Sequence, residues 1–141
     1  MTDSTEQVAA KLRAGWAQGP LNGIRILGSL AADKITTTHV PPVPADGTKD
    51  GAAWAAGMQQ LYEETLQHTI SGFKQEVICR VDGDVIRSEN VFKGTLKDGT
   101  PLNHCVDGVM TVKNGRIVNA VTIYNDERLS WPALVKAMNR D

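Results

Sequence analysis

The stretch HCVDGVMTVKNGRI, residues 104–117, places a carboxylate, Asp107, inside a run of mostly apolar residues. Asp is depleted in strands, and a buried carboxylate without a partner is costly enough to become protonated through a raised pKa. Three interpretations stay open: Asp107-Gly108 forms a hairpin turn, Asp107 faces solvent or pairs with a basic residue, or Asp107 points into an apolar pocket. In the third case its carboxyl group would be a neutral hydrogen-bond donor or an acid/base group.

His39 is the second residue whose type and position suggest chemistry. It follows three threonines and precedes Val40-Pro41-Pro42, so a restricted backbone holds it at the end of a predicted strand. An imidazole titrates near neutral pH and could remove a proton from a carbon next to a carbonyl group. The alternative is a strand-end histidine that hydrogen-bonds to nearby backbone. We interpret His68, at a predicted helix C-terminus, and His104 as structural.

Further side chains could bind a ligand but also suit a hydrophobic core. Tyr124 shares a strand face with Thr122 and is either a pocket donor or a core tyrosine with a satisfied hydroxyl. Asn90 falls on the more apolar face of another predicted strand. Candidate pocket walls, which we take as core residues first, are Trp16, Trp54, Met58 and Phe92. His, Cys and carboxylate residues lack the spacing of metal ligands and no glycine-rich phosphate loop is present, so we expect no metal and no cofactor.

The composition is that of one soluble globular domain over residues 1–141. Charged residues make up 22% of the chain and the formal net charge is −1, which leaves no basic footprint for nucleic acid. No apolar run approaches membrane-spanning length and the N-terminus lacks a signal sequence, so we expect no membrane partner. Cys79 and Cys105 lie in strand-like segments, which favours reduced thiols in a cytoplasmic protein.

The elements that must position these residues follow from periodicity and turn signals. Ser4 and Gln7 form a capping-box signature at the start of the first helix. Apolar spacing predicts helices at 4–17, 21–33 and 50–68, a short strand at 34–40, strands at 74–82, 84–96, 101–112 and 116–124, and a last short helix capped by Ser130. This order predicts an α+β fold, in which a curved antiparallel sheet wraps around the N-terminal helices.

The two faces of the predicted sheet have different roles. In residues 84–96 the even positions are more apolar, and they turn Ser88 and Asn90 inward. The strands at 101–112 and 116–124 are largely apolar on both faces, as expected of a pocket on one face and a partner subunit on the other. We expect the pocket behind Asp107 and the subunit contact of a homodimer behind Val106 and its even-numbered neighbours; loops or the terminal helix could instead cover the outer face.

The layout resembles the nuclear transport factor 2-like superfamily, which includes ketosteroid isomerases, SnoaL-like polyketide cyclases and limonene epoxide hydrolases. The segment VDGVMTVKNGRI, residues 106–117, is similar to the isomerase strand whose protonated Asp donates to the substrate oxyanion, and Asp107 falls on that position. The segment THVPPVPADG, residues 38–47, is similar to the region that holds the isomerase base, and His39 falls at or beside it.

The sequence departs from these families at other functional positions. The oxyanion-hole tyrosine of the isomerases would fall near Leu12, so Tyr62, Tyr124 or Trp16 would have to supply that donor. The Asp-Arg-Asp set of the epoxide hydrolases falls on residues that cannot reproduce it, namely Asn90, Ser88 and Thr122.

These observations favour a cofactor-independent isomerase or cyclase acting on a small hydrophobic carbonyl compound, steroid-like or polyketide-like. His39 would be the general base and a neutral Asp107 would hydrogen-bond the enolate oxygen, helped by Tyr124 or Asn90. This mechanism requires the His39 and Asp107 side chains to open onto one cavity. The alternatives are a dimeric module that binds a hydrophobic ligand without catalysis, and an epoxide hydrolase with a rearranged polar set. The expected substrate-binding residues are Tyr124, Asn90, Trp16, Phe92, Thr122 and Met58.

Overall fold

The structure, a computed structural model, describes residues 2–40, 42–44, 46–63, 70–96 and 99–124. Two helices come first, α1 (Thr5–Ala17) and α2 (Pro20–Leu30), and α3 (Gly51–Leu61) follows two strands. The strands are β1 (Ala31–Val40), β2 (Gly47–Asp50), β3 (Ser71–Asp82), β4 (Val85–Thr95), β5 (Pro101–Lys113) and β6 (Arg116–Tyr124). The fold is therefore α+β, as the sequence predicts.

Local sequence signals explain where α1 and α2 begin. Ser4 accepts a hydrogen bond from the Gln7 backbone N–H, and the Gln7 side chain accepts one from the Ser4 N–H, which confirms the capping box. Pro20 opens α2 at a position where its missing N–H costs nothing. Gly23 lets the two helices approach closely, because a Cβ there would lie 2.0 Å from Cε3 of the Trp16 indole.

The six strands form one sheet in the order β2-β1-β6-β5-β4-β3. The meander β3 to β6 is antiparallel, as predicted, and Asn114 and Gly115 turn β5 into β6 with positive φ angles of 52° and 74°. The structure differs from the prediction at the other edge, where β1 runs parallel to β6 and the short strand β2 pairs antiparallel with β1. The curved sheet is therefore mixed rather than antiparallel throughout.

Two predicted elements extend beyond the described residues. Residues 64–68 of the third predicted helix and the short helix expected after Ser130 both lie outside them, as does His68. The second helix ends at Leu30 rather than at 33, because Ala31 already begins β1.

The main core lies between the helices and the inner face of the sheet. It contains Val8, Ala9 and Leu12 of α1, Leu27 and Leu30 of α2, and strand residues from Ile35 to Ala120. Arg13 connects α1 to the sheet, since its Nε and Nη2 atoms donate to the Cys79 carbonyl at 3.2 and 2.9 Å. The described helices include none that is long and apolar enough to cross a membrane.

Candidate active site

A cavity of about 540 Å³ lies between the inner face of the sheet and the three helices. This volume is within the range of small-molecule sites. Its wall is mostly apolar or aromatic, with Trp16 from α1, Leu27 from α2, and Trp54 and Met58 from α3. The sheet contributes a set of polar side chains to the same wall: Thr37, His39, Lys49, Gln75, Ser88, Asn90 and Thr122. The cavity could therefore enclose a small hydrophobic molecule and present a few polar groups to it.

Strand register determines which side chains face this cavity. A single row across the sheet links His39 of β1 to Thr122 of β6, then Gly108 of β5, Ser88 of β4 and Cys79 of β3. Because side chains alternate along a strand, residues at even positions of β4, β5 and β6 share the inner face with this row. Met110 and Val106, on either side of Gly108, accordingly line the cavity.

His39 lines the cavity and forms a pair with Asp46. The Nδ1 atom of His39 lies 2.5 Å from Oδ1 of Asp46, and the two side chains are 23% and 19% exposed. The other carboxylate oxygen, Oδ2, accepts from the backbone N–H groups of His39 at 2.9 Å and Val43 at 3.2 Å. The loop between β1 and β2 thus folds back so that one carboxylate fixes both the imidazole ring and its own loop.

The protonation state of Asp46 follows from these contacts. Burial acts to raise the pKa of Asp46, but the hydrogen bonds from the His39 ring, the His39 N–H and the Val43 N–H outweigh it, so the pKa lies below its ordinary value. An ionised carboxylate only accepts hydrogen bonds. The proton between the two residues therefore belongs to Nδ1 of His39, and in the neutral imidazole Nε2 is the basic atom.

Tyr124 packs on the imidazole ring of His39. The two rings are stacked with centroids 6.1 Å apart and planes inclined by 19°. Burial, with a smaller effect of the Asp46 carboxylate, raises the pKa of the Tyr124 phenol well above its ordinary value, so the phenol stays protonated. Tyr124 is not among the residues that line the cavity, so the structure places it behind the base rather than against a ligand.

The stack of rings continues across the sheet beyond Tyr124. His104 lies 6.0 Å from Tyr124 and 6.1 Å from Phe92 between ring centroids, and Phe73 lies 5.9 Å from Phe92. These separations are typical of offset aromatic packing. His104, which is buried, is thus part of a row of rings that supports the cavity wall from His39 to Phe92.

The β4 side of the cavity carries a small hydrogen-bonded group. The Asn90 amide donates to Ser88 Oγ and to the Val106 carbonyl, each at 3.3 Å, and its oxygen accepts from Gln75 at 3.3 Å. Ser88 Oγ fills the space over Gly108, because a Cβ on Gly108 would lie 2.5 Å from it. The absence of a side chain at Gly108 thus allows the Ser88 hydroxyl to pack directly against the β5 backbone.

Asp107 is where the structure differs most from the sequence-based expectation. Asp107 pairs with Glu89 of β4 and Ile123 of β6, both on the outer face, and with them it borders a smaller depression of about 190 Å³ that also contains Arg80 and Arg87. Its strand segment borders the main cavity beside Gly108, but alternation turns the carboxylate away from that cavity. The Asp107-Gly108 turn is also excluded, since both residues lie within β5.

The expected assignment of the β5 faces is therefore reversed. Val106 and Met110, which we expected to contact a partner subunit, line the cavity, whereas strand alternation directs the side chain of Asp107 to the outer face. Residues 39 and 107 both border the main cavity, but the strand register directs the Asp107 carboxylate to the outer face, so Asp107 has no role in the mechanism proposed below.

The structure brings most of the other predicted ligand-binding residues together. The cavity is lined by Asn90, Trp16, Phe92, Thr122 and Met58, whereas Tyr124 is not in contact with it. Sequence reasoning missed Asp46, Lys49 and Gln75. Asp46 belongs to a Pro-rich segment that ends in Asp-Gly, which indicates a turn and gives no sign of a contact with His39. Lys49 lies on β2, a strand that the sequence does not predict.

Comparison with known proteins supports the fold described above. The chain matches no known family profile and no curated protein. Among solved structures it is similar to an NTF2-like protein of unknown function from Burkholderia pseudomallei, with a TM-score of 0.66 and 13% identity over 98% of this chain and 99% of that one. A candidate SnoaL-like polyketide cyclase from Mesorhizobium loti has a TM-score of 0.67 and 23% identity over 86% and 100% of the two chains.

An LEH-like epoxide hydrolase from M. tuberculosis has a TM-score of 0.60 and 14% identity over 97% of this chain and 93% of that one. The chain therefore has the fold of the nuclear transport factor 2-like superfamily, a curved sheet that encloses a cavity against its helices. At these identities the comparison establishes the fold, and the function must be argued from the site.

Proposed function

We propose that this protein is a cofactor-independent acid/base enzyme that transfers a proton on a small hydrophobic carbonyl compound. The observation that carries the proposal is the His39–Asp46 pair at the wall of the apolar cavity. Asp46 holds the imidazole in the tautomer whose Nε2 accepts a proton, and the apolar wall binds the body of the substrate. The same arrangement serves isomerisation, aldol-type cyclisation or dehydration, all of which begin by removing a proton next to a carbonyl group.

The sheet also offers donors for the developing enolate oxygen. Ser88 and the Asn90 amide lie on the inner face, and Thr122 lies next to His39 in the same row. Donors aimed at the place where negative charge develops lower the barrier most in a water-poor site. In this proposal they take the role that the sequence analysis gave to Asp107.

Exchange of substrate α-protons in D2O, followed by NMR, tests the proposal without knowledge of the final product. We expect the wild type to accelerate exchange for at least one member of a panel of cyclic ketones, steroid enones and aromatic polyketide mimics. His39→Gln, which can still hydrogen-bond to Asp46, should reduce the rate about 10²- to 10⁴-fold. Thr38→Ala is the control, because Thr38 is the exposed neighbour on the other face of β1.

A second candidate function is a binding module without catalysis. The observation that favours it is that the polar groups on β4 are engaged with one another, and that the carboxylate of Asp107 faces away from the cavity. Binding of panel compounds with no acceleration of exchange would favour this candidate over the enzyme. Epoxide hydrolysis has less support, since the cavity presents Asn90, Ser88 and Thr122 where that mechanism would need two carboxylates and an arginine.

A further inference from the structure

Lys49 is a charged side chain that the proposed mechanism does not use. It lies on β2, opposite Ile35 of β1, and it lines the cavity. Its ammonium group donates to Thr37 Oγ1 at 2.7 Å, and Thr37 is only 3% exposed. The lysine chain therefore runs along the inner face toward the position of Thr37 rather than out into solvent.

This contact places a cation near the proposed base. Thr37 and His39 are two residues apart on the same face of β1, a separation of about 7 Å along a strand. Among the described residues that line the cavity, Lys49 is the only lysine or arginine.

We infer that Lys49 binds a carboxylate carried by the ligand, so that the cavity selects small hydrophobic acids over their neutral analogues. An ammonium held by a buried hydroxyl loses less side-chain freedom when it binds an anion than a free surface lysine does. The apolar wall strengthens the attraction, because charges interact more strongly where water is partly excluded. The ligand would place its apolar body among Trp16, Trp54 and Met58 and its carboxylate at the β1–β2 edge.

The inference deepens the proposed function and rests on it only in using the same cavity. A carboxylate at Lys49 would orient the ligand relative to Nε2 of His39. Lys49 is thus a specificity-determining residue, and its removal should change which ligands bind even when no turnover is measured.

Calorimetric titration with 2-naphthylacetate and with its neutral analogue 2-naphthylacetamide tests the inference. We expect the wild type to bind the acid about tenfold more tightly than the amide, and Lys49→Met to remove that preference. Lys49→Arg should keep part of it. Lys34→Met is the matched control, because Lys34 is a 70% exposed lysine that pairs with Asp50 at the surface, and it should leave the preference unchanged.

The outcomes separate this inference from the proposed function. The inference would be overturned if the wild type bound the two probes equally, or if it bound neither probe with a Kd below about 1 mM. It would also be overturned if a Lys49→Met protein that melts at the wild-type temperature kept the preference for the acid. His39→Gln should retain the preference for the acid while losing proton exchange. Retention of proton exchange in His39→Gln would instead contradict the proposed function and leave the binding result standing.

Discussion

Two carboxylates, one in the loop between β1 and β2 and one on the outer face of the sheet, have different surroundings. Asp46 lies beside the cavity and accepts three hydrogen bonds, including one from the His39 ring, whereas Asp107 lies on the outer face between Glu89 and Ile123. Asp107 attracts attention in the sequence because its neighbours are apolar, and Asp46 does not because it stands in a turn. The partners of an acidic group, rather than the hydrophobicity of its neighbours in sequence, therefore decide whether it can support catalysis.

The largest expected difference between Asp46 and Asp107 is in how much their substitution lowers the catalytic rate. Asp46→Asn removes the carboxylate that fixes the His39 tautomer, so α-proton exchange should fall about 10²- to 10⁴-fold. Asp107→Asn should leave the rate within about threefold of wild type, because a change on the outer face removes no group that touches the ligand. Initial rates measured at saturating substrate provide the check. A larger loss for Asp107→Asn than for Asp46→Asn would return Asp107 to the mechanism.

The outer face of the sheet should also have a different packing partner from the inner face, which packs against the helices. We expect a second copy of the chain to pack on this face, because Val109, Val121 and Ile123 give it an apolar surface. Val109→Arg, near the centre of the face, should weaken self-association at least about tenfold. Ile78→Arg on β3, at the edge of the sheet, is the matched control and should have a smaller effect. Analytical ultracentrifugation measures both, and a monomeric wild type at high micromolar concentration would contradict the prediction.

Much of the fold could be predicted from the sequence, because it depends on local signals. The capping box at Ser4, the Asn114-Gly115 turn and the alternation in β4 each act over a few residues, and the structure confirms them. The parallel pairing of β1 with β6 could not be predicted in the same way. It joins strands about 80 residues apart in the chain, and no turn marks their register.

The site was harder to predict, for a related reason. Both faces of β5 are apolar in sequence, so alternation alone could not say which one faces the cavity. Pairing with Ser88 and Asn90 of β4 decides the question, since their inner face continues into Gly108 and Val106. Asp46 and Lys49 belong to a short hairpin whose strand β2 has only four residues, too few for a periodic signal.

The tight packing between Ser88 and Gly108 predicts a smaller effect, on stability. Gly108→Ala would place a methyl group 2.5 Å from Ser88 Oγ, so we expect a loss of about 1–3 kcal/mol in the free energy of unfolding. Gly57→Ala on α3 is the matched control, because its Cβ would meet nothing within 4 Å and alanine favours a helix by up to about 1 kcal/mol. Urea denaturation of both variants measures the difference. Equal stability of Gly108→Ala and wild type would show that Ser88 can turn away without cost.

The smallest expected effect concerns acid stability, and it again separates Asp46 from an exposed carboxylate. Because the pKa of Asp46 is lower in the folded protein than its ordinary value of 3.8, ionised Asp46 stabilises the fold at pH values above 3.8. That stabilisation is lost as the pH falls through the folded pKa. The difference in unfolding free energy between wild type and Asp46→Asn should therefore be constant from pH 7 to about pH 5 and should narrow below that.

Asp82→Asn provides the reference for this measurement, since the Asp82 side chain is 75% exposed and lies at the end of β3, which is four strands away from β1 in the sheet. Thermal unfolding followed by circular dichroism at a series of pH values would compare the three proteins. A difference between wild type and Asp46→Asn that stays constant down to pH values below 3.8 would contradict the prediction. In that case the hydrogen bonds from His39 and Val43 would stabilise the loop equally well with a neutral side chain, and the role of Asp46 would be to position His39 without the aid of its charge.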